Sequence, residues 1–301
     1  MPELPEVETI RLALEPHVVG RRFEHVDIND PRLVRPYEPI AVAAELEGER
    51  VAALDRRGKY LIVRFESGRA LLVHLRMTGS FLTSTDGSPL PEDAHRRAVV
   101  TLDDGSDLAY RDVRRFGTWH LLEPEEVDPY LQRRLGGEPL ERAFTAKRLA
   151  ERLEGRRAPI KAALLDQRTV AGLGNIYVDE ALWRAKLHPL RPAGSLAAEE
   201  IAALTKAIRE ALRAGIARQG ASLRDYSKPD GRRGRMQERF KVYGREGEPC
   251  LRCGTPIDKI RAGGRGTWYC PGCQRLYAPQ LHQAASRSAS RPSRSSRQSS
   301  V

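Results

Sequence analysis

The sequence predicts an α+β chain: an N-terminal helix and an antiparallel β-sandwich, then a helical domain, then a small cysteine-bearing module. Three observations carry this reading. Short β-like runs with polar turns dominate residues 20 to 123. Beyond residue 130 the apolar residues instead recur every three or four positions. All four cysteines fall between 250 and 273, in two close pairs. A chain of 301 residues is long enough for two cores and a small module. The expected divisions are a sandwich over 2–123, a helical domain over 130–240, a metal module over 241–276 and a disordered tail over 284–301.

The first helix is signalled by Pro5 in its opening turn, by Glu6 and Glu8 at its positive end, and by the stripe Val7, Ile10, Leu14. Leu61–Phe65 and Ala70–Leu75 flank the turn Glu66-Ser67-Gly68-Arg69, a hairpin signal, and Ala98–Leu102 and Leu108–Tyr110 flank Asp103-Asp104-Gly105-Ser106, a second one. The Pro/Glu-rich stretch 123–129 reads as an interdomain linker. Phe144–Leu153 and Ile160–Leu165 are helix candidates. At Gly172-Leu173-Gly174-Asn175 the glycines allow a tight turn and Asn175 is placed to cap the next helix, whose free N–H groups suit a phosphate. Ile201, Leu204, Ile208, Leu212 and Ile216 mark a packed amphipathic helix that Gly220 ends. Residues 221–237 form an Arg-rich polar loop. From Ser286 onward the chain is mostly Ser and Arg with no acid, a composition that cannot bury a core.

Cys250-x2-Cys253 and Cys270-x2-Cys273 stand sixteen residues apart. Four thiolates at this spacing fit one closed tetrahedral zinc site, and they imply a reducing compartment rather than a disulfide framework. The net charge of +11 and pI near 9.8 point to a polyanionic partner. No run of 18 apolar residues exists and the N-terminus is acidic, so neither a membrane span nor export is expected, and a cytoplasmic location is.

The start, Met1-Pro2-Glu3-Leu4-Pro5-Glu6, carries chemistry of its own. Once Met1 is removed, Pro2 is a free secondary amine, and an α-amino group titrates near pH ~8. Such an amine attacks a sugar carbon and forms an iminium, with Glu3 next door to move the proton. Pro2-Glu3-Leu4-Pro5-Glu6-Val7-Glu8-Thr9 resembles the start of bacterial formamidopyrimidine-DNA glycosylases, and the resemblance runs to about residue 276.

That resemblance implies a helix-two-turn-helix organisation for the helical domain and a bifunctional DNA glycosylase with abasic-site lyase activity, acting as a monomer on damaged double-stranded DNA. It assigns attack to Pro2 and proton movement to Glu3. Lys59, in Arg56-Arg57-Gly58-Lys59-Tyr60, is locally a basic turn; by resemblance it contacts phosphate and helps β-elimination. Met77, in His74-Leu75-Arg76-Met77-Thr78-Gly79, is core filler on its own terms but a wedge by resemblance. Arg114 is assigned to the orphaned base and Phe116 to the stack, apolar wedges being suited to unstacking duplex steps. Val113 stands where the family usually has Pro. His95, Arg156, Lys161 and Asn175 align with positions that touch DNA, and Arg265 with an arginine that grips the lesion phosphate. Zinc stays structural. Two other readings are an endonuclease-VIII-like enzyme for oxidised pyrimidines, against which Leu4 stands, and a noncatalytic damage-binding protein, against which Pro2, Glu3 and Lys59 stand.

Overall fold

In the computed structural model, residues 1–84, 90–223 and 226–276 are described. The expected tail, and part of the 221–237 loop, lie outside them. Among the described residues no helix is long and apolar enough to cross a membrane.

The chain opens with helix α1 (Leu4–Val18), strand β1 (Phe23–Ile28) and helix α2 (Pro39–Leu46). Seven strands follow: β2 (Val51–Arg57), β3 (Tyr60–Phe65), β4 (Ala70–His74), β5 (Gly79–Thr83), β6 (Arg96–Leu102), β7 (Asp107–Asp112) and β8 (Thr118–Leu122). With β1 they form two antiparallel four-stranded sheets, ordered β1-β6-β7-β5 and β2-β3-β4-β8. Both expected hairpins are present, with Val63 opposite Leu71 in one and Val100 opposite Leu108 in the other. Alternation along β3 explains the layering. Leu61, Val63 and Phe65 join the core between the sheets, together with Val7, Ile10 and Leu14 of α1.

Tyr60 and Ile62 face the other way, and there the sequence reading needs correction. Residues 123–129 join the two domains, as expected, but not as an irregular linker. They begin helix α3 (Pro124–Gln132), whose Val127 and Leu131 cover Tyr60, Ile62, Ala70 and Leu72. The start signals were present: Pro in the first turn, and a Glu123 amide that donates to Glu126 at 3.0 Å.

The helical domain comprises α4 (Ala146–Leu153), α5 (Ile160–Leu165), α6 (Asn175–Ala185) and α7 (Ala198–Ala217) around their own core, into which Leu4 of α1 also reaches. Strands β9 (Asp258–Ala262) and β10 (Arg265–Tyr269) form the closing antiparallel hairpin. Its small core holds Trp183, Val242, Ile257 and two of the cysteines.

Candidate active site

The start of α1 is fixed from the far side of the chain. The Glu3 carboxylate accepts the amides of Gly174 at 2.6 Å and Ile176 at 2.9 Å, the first turn of α6. A side chain on Gly174 would collide with it, since a Cβ there would lie 2.4 Å from Glu3 Cδ. Asn175 is therefore not the cap, and these N–H groups are not free for phosphate. Glu3 takes both jobs, as a carboxylate at a helix N-terminus should. Asn175 sits in the first turn and donates its Nδ2 to the Gly266 carbonyl at 3.0 Å.

Glu6 lies directly behind. It accepts the Glu3 amide at 2.9 Å, the Tyr177 hydroxyl at 2.8 Å and the Ala221 amide at 2.8 Å. Burial, then the Glu3 charge, push it up to about 7, against three donors that favour its ionised form. Burial also raises Glu3, with Lys59 and the α6 amides pulling it back. Burial lowers Lys59, opposed by Glu3 and Glu6.

Lys59 owes its place to a clamp that sequence reasoning missed. Gly58 has a φ of +58°, which suits glycine, and its amide donates to Glu138 at 2.8 Å. Glu138 also binds Arg56 at 2.7 Å and Arg57 at 2.9 Å, and Arg56 reaches back to Glu8 of α1 at 2.9 Å. One buried carboxylate thus ties the β2–β3 turn to the helical domain.

Pro2 is buried and Met1 half exposed. Glu3, Lys59, Met77, Asn175 and Arg265 line one cavity of about 560 Å³, with Met1 at its edge. His74, also missed, lines it too. Its Nδ1 accepts the Arg76 amide at 3.0 Å, and burial with the charges of Arg76 and Lys59 pushes it down to about 3. The ring is neutral and its proton sits on Nε2, a donor for an anion.

The loops that carry Met77 and Arg114 share one organiser, Asp112. It accepts the hydroxyl of Thr78, next to Met77, and the amides of Arg114 at 3.2 Å and Gly117 at 2.7 Å. Phe116 is 52 % exposed, under the Arg114 guanidinium at 4.9 Å. An apolar ring held out into solvent is what a wedge requires. His95 lies half-buried on the approach to β6, its amide bound by Asp93 at 2.7 Å. Arg156 is half-buried, 3.7 Å from Asp166.

Lys161 departs from its expected role. It is fully buried, 2.7 Å from Asp179, and donates to the Gly266 carbonyl at 3.1 Å. No phosphate can reach it there. Asp179 spends its second oxygen on the Trp268 amide at 3.0 Å. The pair therefore secures the strand that carries Arg265, whose own side chain is exposed at the cavity. Glu180 secures the approach to the hairpin, accepting the amides of Lys241 at 2.7 Å and Val242 at 3.0 Å.

The sulfurs of Cys250, Cys253, Cys270 and Cys273 all lie within 4.8 Å of one another. Their closest pairs, at 3.4 Å and 3.9 Å, are too long for disulfides. Zn–S bonds of about 2.3 Å at tetrahedral angles require S···S near 3.8 Å, so the cluster fits one structural zinc. The Trp183 indole N–H points at Cys250 Sγ from 3.4 Å, the outer support such ligands need.

Three family models match the chain in sequence order. They are the formamidopyrimidine-DNA glycosylase N-terminal domain over residues 1–119, the H2TH domain of the same family over 135–227, and a zinc finger found in FPG and IleRS over 247–276. A formamidopyrimidine-DNA glycosylase of Symbiobacterium thermophilum is 48 % identical over 91 % of this chain and 89 % of its own. A complex of Lactococcus lactis Fpg with abasic-site DNA superposes with a TM-score of 0.85 at 41 % identity, covering 91 % of this chain and all of that one. A complex of MutM with DNA containing carbocyclic 8-oxo-G gives 0.84 at 41 % identity, with the same coverage. The sandwich, the helical domain and the four-cysteine hairpin, in this order and at this likeness, make the chain a member of the formamidopyrimidine-DNA glycosylase family, the bifunctional glycosylase and abasic-site lyase enzymes of base-excision repair.

Proposed function

We propose that this enzyme removes ring-opened and oxidised purines from duplex DNA through a Schiff base on Pro2. The reading rests on one observation: the wall of a single cavity brings Glu3, Lys59 and Arg265 beside the N-terminus. Removal of Met1 frees the Pro2 nitrogen. The target base leaves the stack, because its sugar carbon is unreachable inside it. Pro2 attacks C1′, the glycosidic bond breaks, and the base departs with the electron pair and a proton. Glu3, raised by burial, is suited to holding that proton and passing it on. The sugar ring opens to an iminium. Loss of the C2′ proton expels the 3′ phosphate, and a second elimination expels the 5′ phosphate. Lys59, lowered by burial, is suited to take a proton in the first step. Arg265 holds phosphate through the second. Met77, Arg114 and Phe116 fill and read the gap, while His95, Arg156 and Asn175 sit along the backbone path. The enzyme works as a monomer in the cytoplasm.

Borohydride added during reaction with abasic-site DNA should join the N-terminal peptide to the DNA. Linkage at a lysine, or none from folded protein, overturns the mechanism.

The loop supports a lesion preference as well. Members that favour 8-oxoguanine usually carry a Gly-Tyr-Phe-like string where this chain has Gly234-Arg235-Met236-Gln237. Met236 is buried in the helical core and Gln237 accepts the Ser222 amide at 3.0 Å, so neither offers an aromatic clamp. Ring-opened purines are expected to be excised faster than 8-oxoguanine in matched duplexes. The opposite order refutes the preference and leaves the chemistry at Pro2 standing.

A further inference from the structure

Each wedge residue follows an arginine with left-handed backbone. Arg76, at a φ of +51°, precedes Met77, and Arg115, at +57°, precedes Phe116. Among the described residues only Lys186 and Gln219 share this conformation without being glycine, and both stand at helix C-termini, where it is common. The two arginines end no helix. A side-chain-bearing residue keeps such a backbone only where its surroundings hold it.

The two anchors differ. The His74 ring accepts the Arg76 amide at 3.0 Å. The anchor of Arg115 lies 85 residues upstream: the Asp30 carboxylate accepts its Nε at 2.6 Å and its Nη2 at 2.8 Å, a two-pronged bond. Asp30 is buried just beyond the end of β1 and is itself fixed. Its carboxylate also accepts the Arg32 amide at 3.1 Å, and its carbonyl the Leu33 amide at 3.0 Å. The Leu33 carbonyl accepts the Trp119 amide at 2.7 Å, which ties this segment to β8 just past the Phe116 loop. Arg97, 3.9 Å from Asp30, donates to the Asp112 carbonyl at 2.9 Å. Asp112 thus holds the two ends of the loop and Asp30 holds its crest.

This divides the loop's charge. Val113, Arg114, Arg115 and Phe116 are all exposed, so either arginine is within reach of DNA. Arg115 is committed to Asp30, and that hydrogen bond above all keeps the Asp30 carboxyl below its ordinary range and ionised. Arg114 lies over the Phe116 ring at 4.9 Å and, among the described residues, has no carboxylate partner.

We propose that Asp30 is a positioning residue for reading the strand opposite the lesion. By holding Arg115 it presents Phe116 as a preformed wedge and leaves Arg114 as the guanidinium that meets the orphaned base. This deepens the glycosylase reading above and rests on it.

The test uses the full-length, zinc-loaded enzyme at saturation. With 2-aminopurine placed opposite an abasic-site analogue, its emission reports unstacking of that base. Wild type should raise the emission on binding, and Asp30→Asn, which keeps the shape and removes the charge, should lose most of the rise. On duplexes carrying a ring-opened purine, the ratio of excision rates opposite cytosine and opposite adenine should fall towards one by about fivefold, the low end for a lost bidentate base contact. A substitution that only loosened the fold would slow both reactions alike and leave the ratio. Arg115→Gln should match Asp30→Asn, and the double variant should be no worse than either, because all three break one bond. Wild-type emission and ratio in folded Asp30→Asn, or in Arg115→Gln, which alters only an exposed residue, overturn the assignment. Losses that add in the double variant overturn it too. A wild type that borohydride traps on abasic DNA but that leaves 2-aminopurine stacked removes the wedge and the role of Asp30, with the chemistry at Pro2 standing. Failure of that trapping overturns the glycosylase reading and the assignment together.

Discussion

The two walls of the cavity are built on different principles. The wall that carries Glu3 and Lys59 rests on the sandwich core, a continuous set of buried aliphatic and aromatic side chains from α1 and both sheets. Polar groups there, the Glu138 clamp beside Lys59 and the α6 amides on Glu3, fix side chains on elements that the core already holds. The opposite wall, which presents Arg265, belongs to a hairpin whose apolar core is a handful of residues, two of them cysteines. A metal site and a buried ion pair replace hydrophobic area there. Where apolar surface is plentiful, packing fixes a catalytic group; where it is scarce, a few strong, specific bonds must do so, and the wall fails all at once when one is cut.

Removing zinc should make the sharpest break. Structural zinc supplies on the order of 10–16 kcal/mol in finger peptides, against backbone ordering of roughly 1–2 kcal/mol per residue. Cys270→Ser should weaken binding to abasic-site DNA by about 100-fold or more while circular dichroism stays largely intact. Wild-type affinity in that variant would show that the two walls do not differ as described.

The ion pair comes next. Lys161→Met leaves the Asp179 carboxylate buried without its partner and should cost about 3–5 kcal/mol in a thermal or denaturant melt. The double change Lys161→Met with Asp179→Leu should recover most of that stability. It should not recover Arg265-dependent DNA affinity, because the Lys161 contact to Gly266 and the Asp179 contact to Trp268 are gone. Recovery of both would reduce the pair to filler.

The smallest effect belongs to the packed wall and appears as pH dependence. Glu6 is raised from its ordinary 4.5 to about 7, so between those values the folded state binds more protons than the unfolded state. Stability contributed by this group is then fully present below pH 4.5 and is lost as pH rises towards 7, on the order of 3 kcal/mol in all. Glu6→Gln should flatten that slope, measured as denaturant midpoints from pH 4.5 to 7.5. A slope equal to wild type would show that another group sets it.

Local patterns in the sequence made much of this legible. The hairpins follow from turns such as Glu66-Ser67-Gly68-Arg69, and the zinc site from cysteine spacing, because both are written in adjacent residues. What stayed hidden depends on partners far away in the chain. Lys161 reads as one more surface lysine until Asp179 and Gly266 are seen around it. Asn175 has a cap's chemistry, but Glu3 occupies the place from 171 residues upstream. Asp112 and Glu138 look like ordinary acids, since nothing local says that one binds two loops and the other two domains. For α3 the signals were local and were outweighed by proline content; Glu123, Pro124 and Val127 were enough to read a helix start.

The contact between Glu3 and α6 also sets a clock on the ribosome. The third residue synthesised takes its final position only against amides at 174 and 176, and Glu6 against one at 221. At about 5–20 residues per second, some 170 further residues take roughly 10–35 s to make. Throughout that interval the amides that hold Glu3 do not yet exist, whereas Pro2 is buried in the finished protein. On the mechanism proposed above, Met1 excision falls in this interval, before the helical domain exists, so that Pro2 is freed before its pocket closes around it.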